Sequence, residues 1–166
     1  MVDLDTENLL EISDDEKEIA SLYGSYVDDK KEKISIELKL EQLAESVMQK
    51  LDESFVANLD YSDESLESIE QIINSAFQNE EKEYIDYDLV DTLSVDLGAY
   101  LALTIMKNFG GEFRFRKDLI HSSIYFGSIK KECFPFHKVI KRLLYGESHS
   151  LLSFYNELIV IMDVLD

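Results

Sequence analysis

The stretch that decides the fold is residues 97–106, which read Leu-Gly-Ala-Tyr-Leu-Ala-Leu-Thr-Ile-Met and carry no charge. As a helix this stretch is apolar on all sides, and its one Gly and two Ala let neighbouring elements approach closely. Ten residues are too few to cross a bilayer. The pattern therefore predicts a buried central helix within residues 86–109. Gly110 and Gly111 are predicted to end it, because glycine adopts positive φ angles without strain.

The period of the apolar residues changes after these glycines. Residues 113–116 read Phe-Arg-Phe-Arg, a second alternating segment follows at 124–129, and residues 132–134 are a candidate for a third. Successive side chains of a strand point to opposite faces, so a period of two indicates strands. The sequence therefore predicts a small two- or three-stranded antiparallel sheet near residues 112–134.

Amphipathic helices flank this centre on both sides. Between residues 38 and 59, and again after a cap at Ser62 or Asp63, apolar side chains recur at helical spacing. Downstream, Pro135 suits the first position of a helix and Gly146 suits its end. The fold class predicted is α+β, mostly helical, with about five or six helices. The residues predicted to face inward are Leu40, Leu43, Ala44, Val47, Met48, Leu51 and Phe55, then Leu66, Ile69, Ile72, Ile73, Ala76 and Phe77, then Val139, Ile140, Leu143 and Leu144, and, after a cap at Ser148, Leu151, Leu152, Tyr155, Leu158, Ile159 and Met162.

The N-terminal part of the chain differs in composition from the rest. Residues 13–16, Ser-Asp-Asp-Glu, match a capping box and predict that a short helix follows. Residues 28–33 are all charged and predict a solvated connection. We therefore divide the chain into an acidic N-terminal helical arm, residues 1–33, and a single α+β domain, residues 34–166.

Charge is distributed unevenly along the chain. The 166 residues include 35 Asp and Glu against 16 Lys and Arg, a net charge of −19. Residues 1–96 hold 28 acidic and 7 basic residues, a net charge of −21, whereas the nine remaining basic residues all lie between Lys107 and Arg142. An acidic surface repels nucleic acids and anionic membranes and attracts cationic proteins over long range. Either the carboxylates face a partner, or the basic segment partly neutralises them within the fold.

Several short motifs follow one another in an order that resembles a known family. They are Leu-Asp-Tyr-Ser-Asp-Glu-Ser-Leu at 59–66, Leu-Gly-Ala-Tyr-Leu at 97–101, Gly-Gly-Glu-Phe at 110–113, Pro-Phe-His-Lys-Val-Ile-Lys-Arg-Leu at 135–143 and Gly-Glu at 146–147. This order resembles an uncharacterised family of small bacterial α+β domains, in which Gly-x-Tyr-Leu-Gly-Glu on a helix leads into Gly-Gly-x-Trp on a strand and a Pro-led Lys-Arg helix. The resemblance covers residues 55–155 and implies the fold but no activity. Ala102-Leu103 replace the family's Gly-Glu, and Phe113 replaces its Trp.

The sequence shows no pattern typical of a catalytic or metal site. It contains no Gly-x-Ser-x-Gly, no Gly-x-Gly-x-x-Gly and no phosphate-binding loop. Cys133 and His137 stand four residues apart, but two ligands do not complete a zinc site. A single Cys also excludes an internal disulfide and fits a reducing compartment. We therefore expect no catalytic residue, no cofactor and no metal.

These observations favour a non-catalytic acidic binding protein of the cytoplasm. We expect its acidic helical surface to engage a basic partner protein, and in the most specific form to act as an immunity-type inhibitor of a cationic toxin domain. Aromatic residues amid the carboxylates are the expected anchors. We expect a monomer or homodimer, with neither nucleic acid nor membrane as a partner. The candidate partner-binding residues are Tyr61, Glu64, Glu67, Glu83, Tyr84, Asp86, Tyr87 and Asp88.

Two alternatives belong to other classes of function. A small-ligand-binding domain or an enzyme would have a pocket between the buried helix 86–109 and the hairpin. A deep pocket with convergent polar groups favours this alternative, whereas a filled aromatic core argues against it. A homo-oligomeric structural protein would exchange apolar residues of its first and last helices between copies. The candidate pocket residues are Tyr100, Phe113, Arg114, Arg116 and Tyr125.

Overall fold

The computed structural model describes residues 9–52, 59–77 and 87–164, and in these ranges the chain forms six α-helices and four short strands. The helices are α1 (Glu16–Tyr23), α2 (Lys30–Asp52), α3 (Asp63–Phe77), α4 (Tyr87–Phe109), α5 (Pro135–Tyr145) and α6 (Leu151–Val164). The strands are β1 (Ile12–Ser13), β2 (Glu112–Arg114), β3 (Ser123–Phe126) and β4 (Lys131–Cys133). They form one antiparallel sheet in the order β1-β4-β3-β2. The α+β prediction is confirmed, with four strands where two or three were predicted.

The register of the strands gives the sheet an apolar face and a charged face. Phe113 pairs with Ile124, Ile124 pairs with Cys133, and Cys133 pairs with Ile12. These four side chains belong to, or pack against, the main hydrophobic core. Neighbouring residues on each strand point the other way. The charged face carries Arg114, Tyr125 and Glu132.

Helix α4 is the central helix that the apolar stretch predicts. It is buried along one continuous run of ten residues, 96–105, and packs mainly against α2 and α5. Among the described helices it has the length and hydropathy needed to cross a membrane, with 23 residues and an apolar window of 18 residues whose mean hydropathy is 1.5. However, 67% of that apolar window is buried inside the protein. Such burial is typical of the core helix of a soluble protein.

The close approach predicted for the small residues of α4 occurs at Gly98. A Cβ atom at this position would lie 2.8 Å from Cε1 and 2.9 Å from Cγ of the Phe136 ring, and closer still to Cδ1. Phe136 is fully buried, and Phe113 meets its ring edge-on with the centroids 6.4 Å apart. The space between α4 and the β2–β3 hairpin is therefore filled by an aromatic core.

Helices α1 and α3 both begin with a side-chain cap; the cap at Ser62 is as predicted, whereas α1 is capped by Asp15 rather than by Ser13, the first residue of the predicted capping box. Asp15 Oδ1 accepts hydrogen bonds from the backbone N–H groups of Lys17 and Glu18, both at 3.1 Å. Ser62 Oγ accepts one from the N–H of Ser65 at 3.2 Å. In both helices a short polar side chain satisfies N–H groups that have no acceptor in the preceding turn.

Two other helix starts differ from the prediction. Residues 28–33 are not a solvated connection, because α2 already begins at Lys30. Asp29 Oδ1 accepts hydrogen bonds from two N–H groups of its first turn, at 2.9 and 3.1 Å, so a charged run with a leading Asp suits a helix start. The cap of α6 is Ser150 rather than Ser148, because residues 147–149 form a 3₁₀ turn.

The described N-terminal residues are hydrogen-bonded into the sheet. Strand β1 pairs with β4, and the N–H of Phe134 donates to the carbonyl of Glu11 at 2.9 Å. Helix α1 follows, and its Ile19 and Tyr23 pack with Phe134. A strand at this place corrects the prediction of helix alone, since two residues are too few to show a period. The division of the chain at residue 33 stays a prediction.

Candidate functional site

Those predicted partner-binding residues that the structure describes do not lie together in one patch. Tyr61 stacks on Tyr100, with ring centroids 4.8 Å apart. Tyr100 lies thirteen positions after Tyr87 on α4, a rise of about 20 Å at 1.5 Å per residue. Tyr61, Glu64 and Glu67 lie at the start of α3, Tyr87 and Asp88 lie exposed at the start of α4, and Glu83, Tyr84 and Asp86 lie outside the described residues.

Tyr61 is held in a strained turn against α4. Its φ angle is 64°, a left-handed conformation that residues other than glycine rarely adopt. Its N–H donates to Tyr100 Oη at 3.0 Å, and its carbonyl accepts from Asn108 Nδ2 at 2.8 Å. Lys107 Nζ lies 4.9 Å from the centroid of its ring. This half-buried aromatic ring is therefore fixed in place before any partner binds.

Three glutamates, Glu37, Glu41 and Glu45, form a row on α2 that we call the α2 acidic stripe. All three are exposed, and within the described part of the chain none makes an ion pair. The pKa of Tyr61 is raised, most by burial and then by Tyr100, Glu45 and Glu41. The stripe therefore ends near this tyrosine. Like charges four residues apart destabilise a helix by about 0.2–0.5 kcal/mol per pair. The stripe therefore costs helix stability.

The basic segment between Lys107 and Arg142 is largely turned inward. Arg142 Nε lies 2.7 Å from Glu70 Oε2, and Lys138 Nζ lies 3.2 Å from Glu11 Oε1. The predicted internal neutralisation is therefore present in part. Glu70 of α3 turns toward α5, where it pairs with the buried Arg142. Of the nine basic residues, the six that pair with a carboxylate of the described chain are Arg114, Arg116, Lys131, Lys138, Lys141 and Arg142.

A cavity of about 280 Å³ lies between α1 and the charged face of the sheet. One wall comes from α1 and from the segment that follows it, and the floor comes from the strands. The walls include Ile19, Ala20 and Tyr26, and the floor consists of Arg114, Arg116 and Glu132.

Glu132 is buried between two arginines on this floor. Arg114 Nη1 lies 2.6 Å from Glu132 Oε1, and Arg116 Nη2 lies 3.5 Å from Oε2. The exposed fractions of the three side chains are 2% for Glu132, 11% for Arg114 and 3% for Arg116. Arg116 also donates from Nε to the Gly24 carbonyl at 3.2 Å and from Nη1 to Ser123 Oγ at 2.9 Å. Burial lowers the pKa of Arg116, although Glu132 opposes that shift.

The guanidinium group of Arg114 lies between two tyrosine rings. Its Cζ atom is 4.2 Å from the centroid of Tyr26 and 3.7 Å from that of Tyr125. Its Nη1 bonds to Glu132, whereas Nε is buried with no hydrogen-bond partner among the described residues. Nη2 likewise has no hydrogen bond there. Arg114 thus keeps unused donors beside the cavity.

The five residues considered for a ligand pocket fall on opposite faces of the sheet. Tyr100 and Phe113 belong to the packed core between α4 and the hairpin. Arg114 and Arg116 line the cavity beneath α1, and the Tyr125 ring lies on Arg114. The pocket predicted between α4 and the hairpin is therefore wrongly placed, because Phe113 and Arg114 are successive residues of a strand and point to opposite faces.

His137 is fully buried in an aromatic cluster. Its ring stacks on Phe134 with the centroids 5.2 Å apart and meets Tyr23 edge-on at 5.1 Å. Its Nδ1 lies 3.1 Å from the Leu10 carbonyl, to which it donates, and Nε2 is buried without a partner in the described chain. Burial lowers the pKa of His137 from 6.5 to about 3, against the opposing effect of the Leu10 hydrogen bond and with the help of His121.

Replacing His137 with Asn is expected to make the protein less sensitive to acid. As the pH falls below about 6.5, the unfolded chain takes up a proton that the folded chain excludes, because the folded pKa is about 3. This residue therefore lowers the free energy of unfolding by up to about 1.4 kcal/mol per pH unit in that window. Asn keeps a donor near the Leu10 carbonyl but does not titrate. Urea unfolding at pH 7 and pH 5 measures the difference, and equal losses in both proteins would contradict the assignment.

Cys133 is a core residue. It is fully buried on β4, and burial raises the pKa of its thiol, so the reactive thiolate is disfavoured. Within the residues that the structure describes, no three His, Cys, Asp or Glu side chains converge in a way that would hold a metal ion.

The chain matches no known protein family, no curated protein and no solved structure. The resemblance to small bacterial α+β domains therefore stays a prediction, and the inferences about function rest on geometry and charge.

The sequence did not indicate that Glu132 and Tyr26 contact Arg114. The alternation at residues 113–116 did indicate that two arginines share one face of a strand. Which acid they meet depends on the pairing of β3 with β4, which places Glu132 opposite Tyr125. Tyr26 reaches the site through the segment after α1, and no local pattern reports that contact.

Proposed function

We propose that this protein is a non-catalytic binding protein whose acidic helical surface engages a cationic partner protein. The observation that supports this proposal is the α2 acidic stripe. It stays exposed and unpaired within the described chain, although the fold contains a basic segment that pairs with other carboxylates. The most specific form of the proposal is an immunity-type inhibitor that acts in the cytoplasm on a basic toxin domain.

Electrostatics would act first in such an encounter. With a net charge of −19, the chain attracts cationic proteins over long range, and a row of carboxylates gives that attraction a direction. Because the stripe destabilises its own helix, we infer that it is kept for a contact outside the chain.

Tyr61 supplies the anchor expected at such an interface. It lies near Glu41 and Glu45, and the start of α3 adds the exposed carboxylates of Glu64 and Glu67. Its stacking on Tyr100 reduces the conformational entropy that binding would otherwise remove. Aromatic residues held in this way are enriched among the residues that carry binding energy.

Reversing the stripe with Glu37→Lys, Glu41→Lys and Glu45→Lys is expected to abolish capture of the cationic partner. The test is affinity capture from the source cell's extract at about 0.15 M and about 1 M salt, where the Debye length falls from about 8 Å to about 3 Å. The captured protein is then purified and its association rate measured. We expect the reversal to slow association roughly tenfold or more and high salt to have the same effect.

A matched control separates the stripe from net charge. The control variant carries Glu147→Lys, Glu157→Lys and Asp163→Lys, which change the total charge by the same amount. These residues are exposed and lie outside the stripe, on the 3₁₀ turn and on α6. This control is expected to retain most of the association rate. Equal losses in both triple variants, or capture that survives both reversal and high salt, would overturn the proposal.

A further inference from the structure

We propose that the cavity between α1 and the sheet binds a small molecule through a carboxylate group. This site is separate from the α2 acidic stripe and does not depend on the partner proposed above. It rests on three features of the structure: an uncompensated buried charge, unused hydrogen-bond donors and the space beside them.

The charge on the cavity floor is unbalanced. Arg114 and Arg116 share a single buried carboxylate, Glu132, so within the described part of the chain one largely buried positive charge remains without a counter-ion. Burial of an unpaired charge is costly. An anion that binds the folded protein but not the unfolded chain would offset part of that cost and stabilise the fold. The other carboxylate that lines the cavity is Glu16, whose side chain is exposed.

The geometry of Arg114 directs a ligand to the edge of its guanidinium. Tyr26 and Tyr125 both lie close to Cζ, so they occupy the two faces of the planar group. Nη1 is taken by Glu132, while Nη2 has no acceptor among the described residues. An arginine edge with free N–H groups matches the planar, two-oxygen geometry of a carboxylate.

The cavity has room for a compact ligand with an apolar part. Its volume is about 280 Å³, while one water molecule occupies about 30 Å³ of liquid. Ile19 and Ala20 form the apolar side of its wall. A single negative charge balances the surplus on the floor, whereas a phosphate dianion would overcompensate it beside Glu132 and Glu16. The ligand class that fits is therefore a small monocarboxylate.

The experiment compares benzoate with benzamide, which have nearly the same shape but differ in charge. Each is titrated into the full-length protein while the backbone N–H signals and the Arg114 Nε–H signal are followed by NMR. Acetate, phosphate and sulfate are titrated in parallel. We expect saturable, one-to-one shifts with benzoate at α1, Tyr26 and β2, and at least tenfold weaker binding of benzamide, phosphate and sulfate.

Two pairs of variants complete the test. Ala20→Leu fills the cavity and is expected to weaken benzoate binding at least tenfold, whereas Ser21→Leu adds the same bulk to α1 at an exposed residue outside the lining. Arg114→Met should have the same effect as Ala20→Leu, with the exposed Lys117→Met as its charge control. Glu16→Gln is expected to tighten binding, because it removes a repelling charge from the wall.

The proposal is overturned by any of three results. These are no saturable shift with benzoate or acetate, binding of phosphate or sulfate as strong as that of benzoate, and benzoate binding that Ala20→Leu leaves unchanged. If Arg114→Met fails to fold, the Ala20→Leu and Ser21→Leu pair still decides the question.

Discussion

Replacement of Glu132 with Gln is expected to lower the free energy of unfolding by about 3–5 kcal/mol. The substitution keeps the size of the side chain and removes only its charge. Arg114 and Arg116 would then remain buried, with 11% and 3% of their side chains exposed and no carboxylate between them. Urea unfolding at pH 7 measures the loss.

A surface carboxylate on the same sheet provides the matched control. Glu112 pairs with Lys33 at 2.5 Å, but 47% of its side chain is exposed, so Glu112→Gln is expected to have a much smaller effect. A second comparison combines Glu132→Gln with Arg114→Met, which removes one of the stranded charges and should recover part of the loss. Equal effects of Glu132→Gln and Glu112→Gln would show that the buried cluster does not stabilise the fold.

Replacement of Gly98 with Ala is expected to destabilise the protein by about 2 kcal/mol. In the interior of a helix, the same substitution normally stabilises. Ala favours a helix over Gly by about 1 kcal/mol. Here, however, the added Cβ would lie within 3 Å of Cε1 and Cγ of the buried Phe136 ring, and overpacking of a core costs about 1–3 kcal/mol and sometimes more. We expect the packing cost to exceed the helix gain. Thermal or urea unfolding of the variant gives the sign.

A double-mutant cycle identifies the cause of this loss. Phe136→Leu alone should destabilise by leaving space in the core, but in the Gly98→Ala background the smaller side chain gives the new methyl group room. The loss in the double variant should therefore be smaller than the sum of the two single losses. Stabilisation by Gly98→Ala, or simple additivity, would show that α5 shifts without cost.

The local elements were predictable because each depends on neighbours in the chain. Residues 97–106 are apolar on all sides of the helix, and this pattern alone indicates that the helix is buried. Gly110 and Gly111 follow it with φ angles of 78° and 101°, the positive values that were predicted. The cap at Ser62 is likewise a contact between residues three positions apart. Strand β1 was missed because two residues carry no period, and its partner β4 lies about 120 residues further along the chain.

The candidate sites depended much less on local pattern. The sequence indicated an acidic front half, but the acidic row at residues 37, 41 and 45 follows only from the structure, in which α2 begins at Lys30. The sequence did not indicate that Glu70 turns inward to Arg142, because that contact joins α3 to α5. It also grouped Tyr61 with Tyr87, which a helix rise of about 20 Å keeps apart.

By itself, the sequence determined the fold class, the central helix with the glycines that end it, and the sign of the surface charge, since these follow from spacing, composition and backbone preference. Only the tertiary structure decided which charges are matched and where a cavity opens. The pairing of four strands and the position of α1 bring Glu132, Arg114 and Tyr26 together. Contacts between residues far apart in the chain depend on register and packing, and local periodicity carries no information about either.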